Sequence, residues 1–77
     1  MTASALHGAR SMGFSRQAIV DVIQQLKKTD FVKSMTTIND HRVWQDVYNT
    51  TLNGFAIYIK FQLDESGYFV ISFKEKT

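Results

Sequence analysis

The sequence predicts an α+β fold in which amino-terminal helices pack on one face of a curved antiparallel sheet of about four strands. Two observations carry this. Up to Leu26 the apolar residues recur at three- and four-residue intervals, whereas from Phe31 onward they recur at every second position among β-branched and aromatic neighbours. The links between the alternating runs are short and polar, which favours successive strands lying side by side. At 77 residues and 44% hydrophobic content, the chain makes a single domain over residues 1–77.

Taken in order, a short helix over residues 4–12 is closed by Gly13. Ser15 then caps a longer helix over residues 16–28, whose Ile19, Val22, Ile23 and Leu26 form one apolar stripe. Lys27 and Lys28 fall in its last turn, where cations complement the helix dipole. Four strands follow over residues 31–37, 42–49, 55–63 and 68–74, linked at Asn39-Asp40, Asn53-Gly54 and Glu65-Ser66-Gly67. A three-residue loop at the last link pairs Asp64 with Tyr68, Leu63 with Phe69, Phe61 with Ile71 and Ile59 with Phe73. The same register sets Lys60 opposite Ser72 and Tyr58 opposite Lys74 on the polar face.

Composition removes several kinds of chemistry. There is no cysteine, and His7 and His41 are the only imidazoles, so the sequence predicts no metal site and no cofactor. Neither a nucleophile elbow nor a glycine-rich phosphate loop is present. No apolar run approaches the ~20 residues that span a bilayer, and the expected location is the cytoplasm. Nine Lys and Arg against seven Asp and Glu give only +2, with the basic surplus in the first half of the chain. Trp44 reads as a packing anchor, and the two histidines as solvated side chains.

What remains is a polar sheet face bearing Tyr58, Lys60, Ser72 and Lys74, with Lys33, Arg42 and Gln45 on nearby strands. Such a set suits phosphate esters, because lysines offset charge developing on phosphate oxygens and a tyrosine can exchange a proton. With RNA the nucleophile is the substrate's own 2′-hydroxyl. Wet faces of ordinary antiparallel sheets carry the same residue types.

Three ordered blocks narrow the reading. The segment FVKSMTTINDHRVWQDVY over residues 31–48, GFAIYIKF over 54–61 and VISFKEK over 70–76 closely resemble the MqsR family of motility quorum-sensing regulator toxins. The resemblance implies a RelE-like toxin domain that cleaves messenger RNA without a metal and is neutralised by a cognate, MqsA-like, DNA-binding antitoxin. It places the family's active-site positions on Lys33, Gln45, Tyr58 and Lys74, with Lys33 and Lys74 on the scissile phosphate, Tyr58 exchanging a proton and Gln45 positioning substrate. Lys60, Arg42 and Arg16 are the expected RNA backbone contacts.

Three departures qualify what it implies. Val32 stands where relatives carry tyrosine, Asn49-Thr50-Thr51 stands where relatives often have a basic or cyclic residue, and relatives begin with an additional helix and the lead-in to a strand. The chain therefore reads as shortened at its amino terminus, with reduced activity and an open sheet edge through which a homodimer could form. The alternative is a catalytically weakened homologue that binds antitoxin or RNA as a regulator.

Overall fold

Thr2 and Ser15 start the two helices in the same way. Each keeps an extended backbone and turns its hydroxyl oxygen onto a first-turn amide, that of Ala5 and of Ala18, at 3.2 Å. Those amides have no partner within the helix, so a side-chain acceptor stabilises the start of each. In the computed structural model, which describes all residues except Ile38, Ser66 and Thr77, the helices are α1 (Ala3–Ser11) and α2 (Arg16–Gln24). Helix α2 ends four residues before the expected boundary. The amides of Gln25 and Leu26 bond the carbonyls of Val22 and Ile23, three residues back, which tightens the last turn. The Asp30 carboxylate then accepts from the Lys27 amide at 2.9 Å and opens a short 3-10 turn, Lys28–Asp30. Lys27 and Lys28 thus lie beyond the helix.

Four antiparallel strands follow in the spatial order of the sequence: β1 (Phe31–Thr36), β2 (Trp44–Leu52), β3 (Phe55–Asp64) and β4 (Gly67–Glu75). The α+β expectation holds. Strand β2 starts later than expected because Asp40 holds Arg42 in a turn: its Oδ1 accepts from the Arg42 amide at 2.9 Å, and its carbonyl accepts from Val43 at 3.1 Å. The strand also runs further. Asn53 and Gly54 both take positive φ, 52° and 81°, so a two-residue turn carries the ladder out to Leu52 opposite Phe55.

One face of the sheet is covered by the helices. Ile57, Ile59 and Phe61 of β3 and Val70 and Phe73 of β4 form a single core with Ala5, Ala9, Met12, Phe14, Ile19 and Val22. Phe14 meets Phe55 and Phe73 edge-on, with centroids 5.9 and 6.2 Å away. Helix α1 lies so close to β4 that a Cβ on Gly8 would overlap the Phe73 carbonyl oxygen. At the end of the sheet away from α1, Tyr68 stacks on Phe61 at 5.1 Å and donates its hydroxyl to Asp46 Oδ2 at 2.9 Å. Burial first, and then the Asp46 carboxylate, push the Tyr68 phenol above its usual range.

The β3–β4 register corrects half of what the sequence led us to expect. Tyr58 does face Lys74, Ile59 faces Phe73 and Lys60 faces Ser72. Beyond Lys60 the pairing shifts by one: Phe61 meets Val70, Leu63 meets Tyr68 and Asp64 meets Gly67. Ile71 is the extra residue of a β-bulge. The bulge lets Val70 and Phe73 both face the helices, the place assigned from sequence to Phe69, Ile71 and Phe73. Thr2 secures it, donating its amide to the Val70 carbonyl at 3.1 Å and its hydroxyl to the Ile71 carbonyl at 2.9 Å. The three-residue loop is corrected too: Gly67 is already the first residue of β4 and pairs with Asp64, so only two positions link the strands, and the residue the loop gives up reappears as the bulge at Ile71. Ser66 itself lies outside the described residues.

Candidate functional site

The face of the sheet away from the helices collects the polar side chains. Alternation on β3 points Tyr58, Lys60, Gln62 and Asp64 away from the core that takes Ile57, Ile59 and Phe61. The pairing then sets Gln45 beside Gln62, Val47 beside Lys60, Ser72 beside Lys60 and Lys74 beside Tyr58. Lys33 joins this face through a second irregularity. Phe31 pairs with Tyr48, yet Lys33 pairs with Val47, so the register shifts across Val32. Phe31 can therefore meet the Tyr48 ring edge-on at 5.4 Å on the helix side, while Lys33, two residues later, joins the open face. In a regular strand those two side chains would point the same way.

At the centre of the face is a tyrosine between two cations. Lys74 Nζ is 5.3 Å and Lys60 Nζ 5.9 Å from the centroid of the Tyr58 ring, within the range of cation–π attraction. Tyr58, Lys74, Glu75 and Lys76 line a shallow hollow there. Lys33 lies in the same row as Lys60, separated from it by Val47, which is only 2% exposed although it is on the open face. Gln45 is further off: its partner Gln62 lies four residues from Tyr58, about 13 Å along the strand.

The seven residues expected from the sequence thus divide into three groups. Tyr58, Lys74 and Lys60 meet directly, and Lys33 and Gln45 share their face without reaching that contact. Arg42 and Arg16 stand apart. The Arg42 guanidinium forks onto Asp40, Nε to Oδ1 at 3.1 Å and Nη2 to Oδ2 at 3.3 Å, in the turn before β2. Those hydrogen bonds hold the Asp40 carboxyl below the usual carboxylate range. Arg16 opens α2 on the helical side of the sheet. Trp44 is no packing anchor: it pairs with Leu63 on the helix side and is 47% exposed, beyond the cover of the helices.

Two residues of this face were not singled out from the sequence. Gln45 Nε2 donates to Gln62 Oε1 at 3.1 Å, and Gln62 Nε2 donates to Asp64 Oδ2 at 3.0 Å. The signal was present in the alternation, since Gln62 and Asp64 follow Tyr58 and Lys60 at two-residue steps. No helix among the described residues is long and apolar enough to cross a membrane.

The comparisons with known proteins agree with the blocks noted above. A relative from Escherichia coli (strain K12), the mRNA interferase toxin MqsR, is 41% identical over 75 residues, covering 97% of this chain and 76% of the relative. The family described as motility quorum-sensing regulator, toxin of MqsA, matches residues 1–75. A match over nearly the whole chain, on a fold of two helices and an open four-stranded sheet, leaves one assignment: the chain belongs to the MqsR toxin family.

Proposed function

We infer that the protein is the toxin of a toxin–antitoxin pair and acts as an mRNA interferase, an endoribonuclease that inhibits translation. Family membership carries the general activity. The single observation that supports its location is the Tyr58 ring flanked by Lys74 and Lys60 on the helix-free face. In this reading the 2′-hydroxyl attacks phosphorus in line, the bond to the 5′-oxygen breaks, and a cyclic phosphate and a 5′-hydroxyl result. Lys74 and Lys60 offset the charge growing on the phosphate oxygens, and Tyr58 exchanges the proton with the attacking or leaving oxygen. Lys33 adds positive charge across Val47, and Gln45 positions a neighbouring part of the strand. Neither step calls on a metal or a cofactor.

The partners follow from the same reading: messenger RNA as substrate in the cytoplasm, and a cognate MqsA-like antitoxin that neutralises the toxin. Homodimerisation is assigned to the outer edge of β1, where Phe31 and Val32 are 43% and 48% exposed. Incubating purified protein with a messenger RNA in EDTA tests the activity. Cleavage that disappears in Lys74→Ala supports this site, and equal cleavage by the two proteins overturns it. Absence of cleavage by either would instead favour a binding protein. A strictly monomeric species at high concentration in light scattering would count against the dimer.

A further inference from the structure

Gln45, Gln62 and Asp64 form a hydrogen-bonded series with a defined direction. Gln45 Nε2 donates to Gln62 Oε1 at 3.1 Å, and Gln62 Nε2 donates to Asp64 Oδ2 at 3.0 Å. Two amides in contact can be arranged in either sense, oxygen to nitrogen or nitrogen to oxygen, at nearly equal energy. The end of the series breaks that symmetry. A carboxylate has only acceptors, so Gln62 must turn its NH2 toward Asp64 and its oxygen toward Gln45. Gln45 must then turn its own NH2 toward Gln62. Its carbonyl oxygen is left for whatever lies on the open face.

We propose that Asp64, acting through Gln62, fixes the amide polarity of Gln45 so that Gln45 offers an acceptor oxygen to the RNA and favours an amino base over a keto base. Adenine and cytosine present an exocyclic NH2 where guanine and uracil present a carbonyl, and an outward oxygen accepts from the first and is repelled by the second. The base concerned flanks the cleaved bond. Gln62 lies about 13 Å along β3 from Tyr58, which sets Gln45 apart from the group that exchanges the proton and beside the next part of the strand. Gln62 and Asp64 are positioning residues in this scheme. They touch Gln45 in turn and need not touch the substrate.

The proposal rests on the open face being the RNA site, and its test separates the two. A pool of RNAs randomised around the cleavage site is digested by the unmodified protein, by Asp64→Asn, by Gln62→Glu/Asp64→Asn and by Lys74→Ala, and the bases flanking each cut are counted. The unmodified protein should show an amino-over-keto preference of roughly tenfold at one flanking position. Asp64→Asn, whose amide lets the series run either way, should lose most of that preference while still cleaving. The double variant should regain it, because the carboxylate it introduces beside Gln45 is itself an acceptor and again draws the NH2 of Gln45. A merely structural role for Asp64 predicts no such rescue. An unchanged profile in Asp64→Asn, no amino preference in the unmodified protein, or no recovery in the double variant overturns the proposal. Undiminished cleavage by Lys74→Ala overturns the assignment of the face instead. If Asp64→Asn fails to fold by circular dichroism, Gln62→Glu alone takes its place: retention of the preference supports the scheme and its loss opposes it.

Discussion

Lys74 and Tyr58 face each other across β4 and β3, with the ammonium 5.3 Å from the centre of the ring. The contact uses the face of the ring and leaves the phenolic oxygen for substrate. Tyr58→Phe should therefore preserve the stacking partner and RNA affinity while removing the proton-exchanging group. General acid–base contributions suggest a fall in cleavage rate of about 100-fold or more. Single-turnover cleavage alongside binding of an RNA with a 2′-deoxy group at the scissile position checks this, and an unchanged rate would exclude Tyr58 from the chemistry.

Lys60 and Arg42 were expected to act alike on the RNA backbone, but their surroundings predict different behaviour. Lys60 stands on the open face beside Tyr58, whereas the Arg42 charge is already engaged by Asp40. Lys60→Ala should flatten the dependence of log affinity on log salt by about 0.7, the value for one contact to a single strand. Arg42→Ala should leave that slope nearly unchanged. Titrations of RNA binding across salt concentrations distinguish them.

Gly8 should not tolerate a side chain. An added Cβ would overlap the Phe73 carbonyl oxygen, which is backbone and cannot swing aside. Gly8→Ala should cost about 3 kcal/mol, the upper part of the usual range for overpacking, despite alanine's better helix propensity. In a domain this small that lowers the melting temperature by at least roughly 10 °C. Calorimetry or thermal circular dichroism reads the effect directly.

Tyr68 predicts a pH dependence at the alkaline end. Its phenol is raised above the unfolded value by burial and by Asp46, so the folded state holds its proton more tightly. That contribution is fully present below about pH 10, the unfolded value, and is lost as pH rises past it. Denaturant midpoints measured from pH 8 to 11 should fall at the top of the range, and less steeply in Tyr68→Phe. Because Tyr68 is 51% exposed, solvent screening keeps the effect small.

Much of this is legible in the amino-acid sequence. The change of hydrophobic period at Phe31 placed the helices and strands, and Tyr58 does meet Lys74 as expected, although by compensation: the link is one residue shorter than its turn chemistry suggested, and the extra residue at Ile71 restores the pairing. What escaped were places where one residue departs from its period. Val32 and Ile71 are ordinary β-branched residues that fit either a regular ladder or a bulge, and only packing decides: Phe31 against Tyr48, and Val70 with Phe73 against the helices. The end of α2 was hidden for a similar reason. Asp30 takes the Lys27 amide from three residues away, and no glycine or proline announces it.

The surplus residue in β4 also bears on how the hairpin can vary over evolutionary time. Removing Ile71 would bring Val70 and Ser72 into direct succession, opposite Phe61 and Lys60, the partners they already have. Lys74 would still emerge beside Tyr58, and Phe73 would still be covered by α1. What would disappear is the Ile71 carbonyl to which the Thr2 hydroxyl is tied. A homologue with a hairpin one residue shorter could therefore keep its reactive face intact, and would need only a new mooring for the start of its first helix.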